Sequence, residues 1–138
     1  MRPLPDIERR IEALGDSPAP AVAAKELLAL GEEVLEHWIV ARGDGPTNHR
    51  REGFRLLALH RQGARGEPSF NACRETCREL VYHYNLITMD PDHPDTARRL
   101  AMASLLAKHL LLFVTGKMQV ENLGEFCCSS RSLRAGNG

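Results

Sequence analysis

Apolar residues recur at helical spacing along most of the chain, and the breaks between the runs fall on Gly and Pro. Leu4, Ile7, Ile11 and Leu14 make one stripe, which predicts a first helix over 5–14 with Gly15 as its stop. A second helix follows over 19–42. Its inward face holds Leu27, Leu28, Val34, Leu35, Trp38 and Ile39, while Glu26, Glu32, Glu33 and Glu36 turn to water. Gly43, Asp44, Gly45 and Pro46 break it. A third helix is expected over 47–62 with Phe54, Leu57 and Ala58 inward, and a fourth over 69–88 with Ser69 as its N-cap. The fourth carries Phe70, Cys73, Cys77, Leu80, Tyr84 and Ile87, alternating steps of three and four that make a narrow packing seam. After a turn at 90–94, with Asp92 and Asp95 placed to cap, a fifth helix over 94–115 is apolar nearly all round. Such a helix must be central or must bury a second face against a partner. Gly116 should end it, residues 117–126 could add a turn, and 129–138 reads as a flexible tail.

One motif occurs twice, about 47 residues apart. Glu33, His37, Trp38, Pro46, Arg50, Arg51 and Leu57 in the first copy match Glu79, His83, Tyr84, Pro94, Arg98, Arg99 and Leu105 in the second. A period of this size reads as a duplicated helical hairpin. The expected fold is therefore all-α, one domain over 1–138. It would be an up-down four-helix bundle of two similar hairpins, with an N-terminal helix and a short C-terminal segment. A HEAT-like pairing of hairpins is the alternative.

Composition narrows the function classes more than it selects one. The 138 residues are 43% hydrophobic and 26% charged with zero net charge, so no overall field draws the chain to nucleic acid or membrane. Locally the balance shifts. Residues 1–41 hold four basic and eight acidic groups, while 42–65 hold six Arg against Asp44 and Glu52. The N-terminus lacks the apolar run of a signal peptide, and the apolar stretch 101–115 is short for a membrane span. A cytoplasmic setting is expected, with the four cysteines reduced.

Candidate chemistry comes from three groupings. His37 and His83, each four residues after a Glu, occupy equivalent places in the two copies and are weak ligand candidates. Cys73 and Cys77 share a helix face and could give two thiolates to one metal, though core packing is the simpler use. Cys127 and Cys128 lie near Arg131 and Arg134, a setting that can activate a thiol. Arg50, Arg51 and Arg55, with His49, Arg61 and Arg65, could hold phosphate or an acidic surface, or could pair with the acidic second helix. Arg50–Arg51 and Arg98–Arg99 are both expected in first helical turns, where they oppose the helix dipole.

No phosphate-cradling loop, nucleophile elbow or paired zinc motif is present, so an enzyme and a cofactor are not expected. The leading expectation is a non-enzymatic interaction or regulatory module acting through a protein partner or as a homodimer. The first alternative is a small metal- or ligand-binding sensor using Cys and His between helices. The second is anion or nucleic-acid binding through 42–65, with nucleic acid disfavoured by the lack of interleaved aromatics.

Overall fold

The computed structural model describes residues 1–123, and the chain over these residues is all-α. Five helices pack together: α1 (Leu4–Leu14), α2 (Pro20–Ala41), α3 (Arg55–Gly63), α4 (Asn71–Met89) and α5 (Thr96–Val120). A 3-10 turn, Pro68–Phe70, leads into α4. The expected segment at 129–138 and the Cys127–Cys128 pair lie outside the described residues.

The stripes of α1 and α4 are as the spacing predicts. Ile7, Ile11 and Leu14 are buried, and Phe70, Cys73, Cys77, Leu80 and Ile87 form an inward seam with Tyr84 packed on its edge. Helix α2 packs on α1, α3, α4 and α5, and α5 packs on α1, α2 and α4. The core therefore lies around α2 and α5. Gly31 of α2 is what lets its neighbours converge there. A Cβ at this position would stand 3.2 Å from Leu56 of α3 and 3.3 Å from Leu80 of α4, with Leu110 of α5 at 3.7 Å. At the other end of α5, the Ser104 hydroxyl donates to the carbonyl of Ile11 at 2.8 Å, tying α1 to α5. Gly15 keeps that approach open, since its Cβ would meet the Ser104 side chain at 3.1 Å.

Several boundaries differ from the sequence reading. The third helix starts at Arg55, not at 47, because the chain reverses just before it. Arg51 and Phe54 exchange two backbone hydrogen bonds of 3.0 Å around Glu52 and Gly53, both of which have positive φ (55° and 85°). Two such residues in sequence are the signature of a tight type I′ turn, which no helix can run through. Arg50 and Arg51 therefore precede α3 and do not oppose its dipole, unlike Arg98 and Arg99 in α5. The equivalence of the two copies does not extend to their second helices. Ser69 sits in the 3-10 turn and Phe70 takes the N-cap place of α4, while Asp95 occupies the N-cap of α5 without a side-chain capping bond.

Gly116 does not stop α5, which continues to Val120. At 25 residues, with mean hydropathy 1.3 over its most apolar window, α5 is long and apolar enough to cross a membrane by those measures alone. Only 39% of that window is buried here, although Leu100, Ala103, Ala107, Leu110, Leu111, Val114 and Met118 all face the core.

The Gly31 junction generates a direct expectation. Gly31→Leu forces a branched side chain between Leu56 and Leu80. Such overpacking costs about 1–3 kcal/mol, more than the roughly 1 kcal/mol that removing a helical glycine returns. The urea midpoint should fall; a raised midpoint would show that the three leucines do not meet as described.

Candidate functional site

The loop between α2 and α3 is held on the protein by Arg55, a binding candidate in the sequence that pairs with the acidic second helix, and by Gln62. Arg55 donates from Nε to the carbonyl of Thr47 at 2.9 Å, and its two terminal nitrogens reach Glu32 and Glu36 of α2 at 3.3 and 3.1 Å. All three side chains are half-buried. Burial pushes the Glu32 carboxyl above its ordinary value despite Arg55. Gln62 of α3 completes the anchorage, accepting from Thr47 N–H at 2.8 Å and donating to the Gly45 carbonyl at 2.7 Å. Arg55 is thus committed to the fold and is not part of an open binding face.

The two repeat histidines are also used locally. His37 donates from Nε2 to the Arg2 carbonyl at 2.7 Å while Glu33 pairs with Arg2 at 3.3 Å, so this Glu–His pair fastens the N-terminal residues. His83 donates from Nδ1 to the carbonyl of Glu79 at 2.8 Å, with the Glu79 carboxylate 3.9 Å away. Among the described residues, no group of three or more His, Cys, Asp or Glu side chains is arranged to hold a metal ion.

The remaining arginines are arranged differently. Two adjoining concavities lie on the face made by the 45–51 loop, α3 and the start of α4. The first, about 300 Å³, is lined by Arg51, His60, Arg61, Asn71, Arg74 and Arg78, with Leu57 and Ala64. The second, about 510 Å³, is lined by Thr47, His49, Arg50, Arg51, Arg61 and Arg65, among others. Arg51 and Arg61 line both. Arg78 pairs with Glu52 at 2.8 Å, and that pair holds the Glu52 carboxyl below its ordinary value. Arg50, Arg51, Arg61, Arg65 and Arg74 form no ion pair among the described residues. No Phe, Tyr or Trp lines either concavity.

His60 is the site residue that sequence reading missed. It is buried on α3, yet one edge lines the first concavity. Its Nε2–H donates to the Phe70 carbonyl at 2.9 Å, and the Cys73 thiol donates to the same oxygen at 3.4 Å. Cys77 lies one turn further along the same side of α4, and both thiols are free and buried. The neighbouring Cys77 thiol is the largest influence on Cys73. Burial opposes it and His60 reinforces it, leaving the Cys73 thiol well below its ordinary range, at about 6. The same contact, with burial, pushes Cys77 well up. Burial also works against charge on His60, but Cys73 and the Phe70 carbonyl outweigh it and raise the imidazole. A periodicity signal for His60 was present, since Leu56, His60 and Gly63 follow the helical repeat of the inward face of α3.

No family model matches this chain, and neither a curated protein nor a solved structure does.

The thiol pair sets a titration. Because the folded value of Cys73 lies below its ordinary 9.0, the ionised thiol adds stability that is complete above that value and fades as pH falls through about 6. Cys77, displaced upward, acts in the opposite sense at alkaline pH. Thiolate absorbance should therefore show one group ionising near pH 6 that disappears in Cys73→Ala. Finding every thiol of the wild type in the ordinary range would contradict this arrangement.

Proposed function

We propose that the chain is a non-enzymatic helical binding module that receives an anionic group, phosphate or carboxylate, on its arginine-lined face. The carrying observation is the gathering of Arg50, Arg51, Arg61, Arg65 and Arg74 around two adjoining concavities with no carboxylate partner among the described residues. Guanidinium groups bind such ligands through paired, charge-assisted hydrogen bonds. Glu52, paired with Arg78, offsets only part of the like charge gathered there, so a bound anion relieves the remaining repulsion. The absence of Phe, Tyr and Trp from the lining favours an isolated phosphate or carboxylate over stacked bases. The reading includes a cytoplasmic setting in which the thiols stay reduced.

Calorimetric titration with inorganic pyrophosphate at low ionic strength should give millimolar or tighter binding. Replacing Arg51 and Arg61 together by Ala should weaken it at least about tenfold, since each lost charge-assisted bond is worth about 1.5–3 kcal/mol. Raising salt should weaken it as well, whereas Arg55→Ala should lower stability and leave affinity nearly unchanged. No heat with pyrophosphate, or equal affinity in the double variant, would defeat the reading.

A second reading, homodimerisation through α5, rests on its outer face. Met102, Leu105 and Leu112 are 42%, 62% and 53% exposed and repeat at steps of three and seven, with His109 between the leucines. That is the spacing of a helix-pairing seam. We read the arrangement behind it as an up-down four-helix bundle with α1 laid across it, supported by the closed cycle of packing from α2 to α3, α4, α5 and back to α2. Light scattering should then give twice the monomer mass at micromolar concentration, and Leu105→Glu with Leu112→Glu should return it to monomer. A wild-type monomer would remove the dimer and leave anion binding untouched.

A further inference from the structure

Two buried thiols on α4 line neither arginine concavity, but His60, which lines the first, bonds to the same carbonyl as one of them. Cys73 and Cys77 are 3% and 0% exposed and lie one helical turn apart on the same side. Their counterparts in the first copy of the motif are Leu27 and Gly31, so packing at these places does not require sulfur. Cys73 and His60 meet on one carbonyl oxygen, that of Phe70, at 3.4 and 2.9 Å. The roughly 300 Å³ cleft reaches His60, and its α4 wall is made by Asn71 and Arg74, the residues flanking Cys73 at two positions before and one after. The His60 ring is thus the side chain that stands between this cleft and the Cys73 sulfur.

We propose that Cys73 and Cys77 form a peroxide-reactive dithiol, with Cys73 the attacking sulfur and Cys77 the resolving one. In the first step the Cys73 thiolate attacks one oxygen of hydrogen peroxide. An S–O bond forms, the O–O bond breaks, and the departing hydroxide leaves as water after taking the proton that Cys73 released on ionising, which His60 is placed to hold. Sulfur gives up two electrons and peroxide accepts them. In the second step the Cys77 sulfur attacks the Cys73 sulfenic acid. The S–S bond forms, the S–O bond breaks, and the hydroxyl leaves with the Cys77 proton as a second water.

The helix can accommodate the product with a local change. Residues four apart on a helix have Cβ atoms about 5–6 Å apart, whereas a disulfide needs about 3.5–4.5 Å. The Cys73–Cys77 stretch of α4 must therefore tighten by about 1.5 Å. The segment lies where the 3-10 turn Pro68–Phe70 passes into α4, and the Asn71 N–H bonds back to Pro68 and Ser69, so the tightening falls at a junction that already mixes the two helical pitches. Closing the bond draws Cys73 off the Phe70 carbonyl. The Phe70 ring stacks on Trp38 with centroids 4.9 Å apart, so the only tryptophan of the chain reports the change.

The cleft that reaches His60 is the first concavity of the arginine face, but the thiol chemistry needs no bound anion, so peroxide oxidation of the anion-free chain and pyrophosphate binding succeed or fail separately. The test treats the reduced full-length chain with hydrogen peroxide at neutral pH and maps the products by peptide mass spectrometry. The expected result is a Cys73–Cys77 link, lighter by two hydrogens, formed stoichiometrically, reversed by dithiothreitol and accompanied by a change in Trp38 emission. In Cys77→Ala, dimedone should instead capture a sulfenic acid on Cys73. Oxidation confined to methionines or to Cys127 and Cys128, with Cys73 and Cys77 still reduced, would overturn the proposal. So would dimedone capture at Cys77 in place of Cys73, in Cys73→Ala or in the wild type. Should Cys77→Ala not fold, the wild-type peptide map alone decides between these outcomes.

Discussion

Phe70 is the residue on which both the core and the candidate chemistry depend. Its ring is fully buried and stacks on Trp38 of α2, meets Phe113 of α5 edge-on at 5.2 Å and lies 6.0 Å from His60 of α3. One side chain at the start of α4 therefore contacts all three helices that enclose it. Its carbonyl accepts from His60, and from Cys73 while that thiol keeps its proton, donors that burial would otherwise leave unpaired. An unmet buried donor costs about 1–3 kcal/mol, so the position of the thiol and the imidazole is fixed by the same residue that fixes the packing. Trp38 extends the arrangement. Its indole N–H donates to Gly63 at 3.0 Å, while Arg42 and Lys117 stand over its ring at 5.1 and 5.8 Å. The absence of a Cβ on Gly63 is required there, because one would lie 3.0 Å from the indole.

Charge is distributed by a comparable division of labour. The acidic groups of α2 and of the 3-10 entry claim Arg10, Arg55, Arg42 and Lys117 through Glu26, Glu32, Glu36 and Glu67. Of the cations left without an ion pair among the described residues, Arg50, Arg51, Arg61, Arg65 and Arg74 gather on one side, while Lys25, Arg98 and Arg99 lie outside that face. A chain with zero net charge can in this way carry a strongly positive face. The sum over the whole molecule, which argues against an electrostatically driven partner, conceals this local imbalance.

Much of the architecture was legible because long amphipathic runs announce themselves. The stripes of α1 and the seam of α4 were readable residue by residue, since each face is buried along its whole length. Helix α3 was not, and the reason is local. The repeated Pro-to-Arg-Arg motif suggested a helix from 47, but Glu52 and Gly53 adopt left-handed backbone and reverse the chain before Arg55. A Gly two residues after an Arg pair is a weak cue against a strong motif. The error carried into the site. Leu57 is buried and Phe54 packs at the core edge as the sequence suggests, but Leu56, Leu59 and His60 also turn in, and the set Phe54, Leu57 and Ala58 left His60 out. The arginine cluster was visible as a charge run, but Arg74 joins it only in space, from a different helix. Arg55 lies within the same run and is spent on Glu32 and Glu36, a distinction that depends on the partners.

Helix α5 shows how far composition alone constrains a fold. A helix apolar nearly all round needs neighbours nearly all round, and α5 has α1, α2 and α4. Three neighbours cover an arc of the cylinder and leave one strip open. That strip holds Met102, Leu105 and Leu112 rather than the charged residues an outer face normally carries. Inward positions of the same helix are small where α1 and α2 press closest, at Ala103, Ser104 and Ala107, and large toward its C-terminal half, at Leu110, Leu111 and Val114. The inner face is therefore graded to its neighbours, with Ser104 bonded to Ile11 at the closest approach. The outer strip has no such grading against the described chain. Apolar side chains repeating at coiled-coil spacing on the helix that already organises the core are the surface that the proposed pairing of two copies would cover.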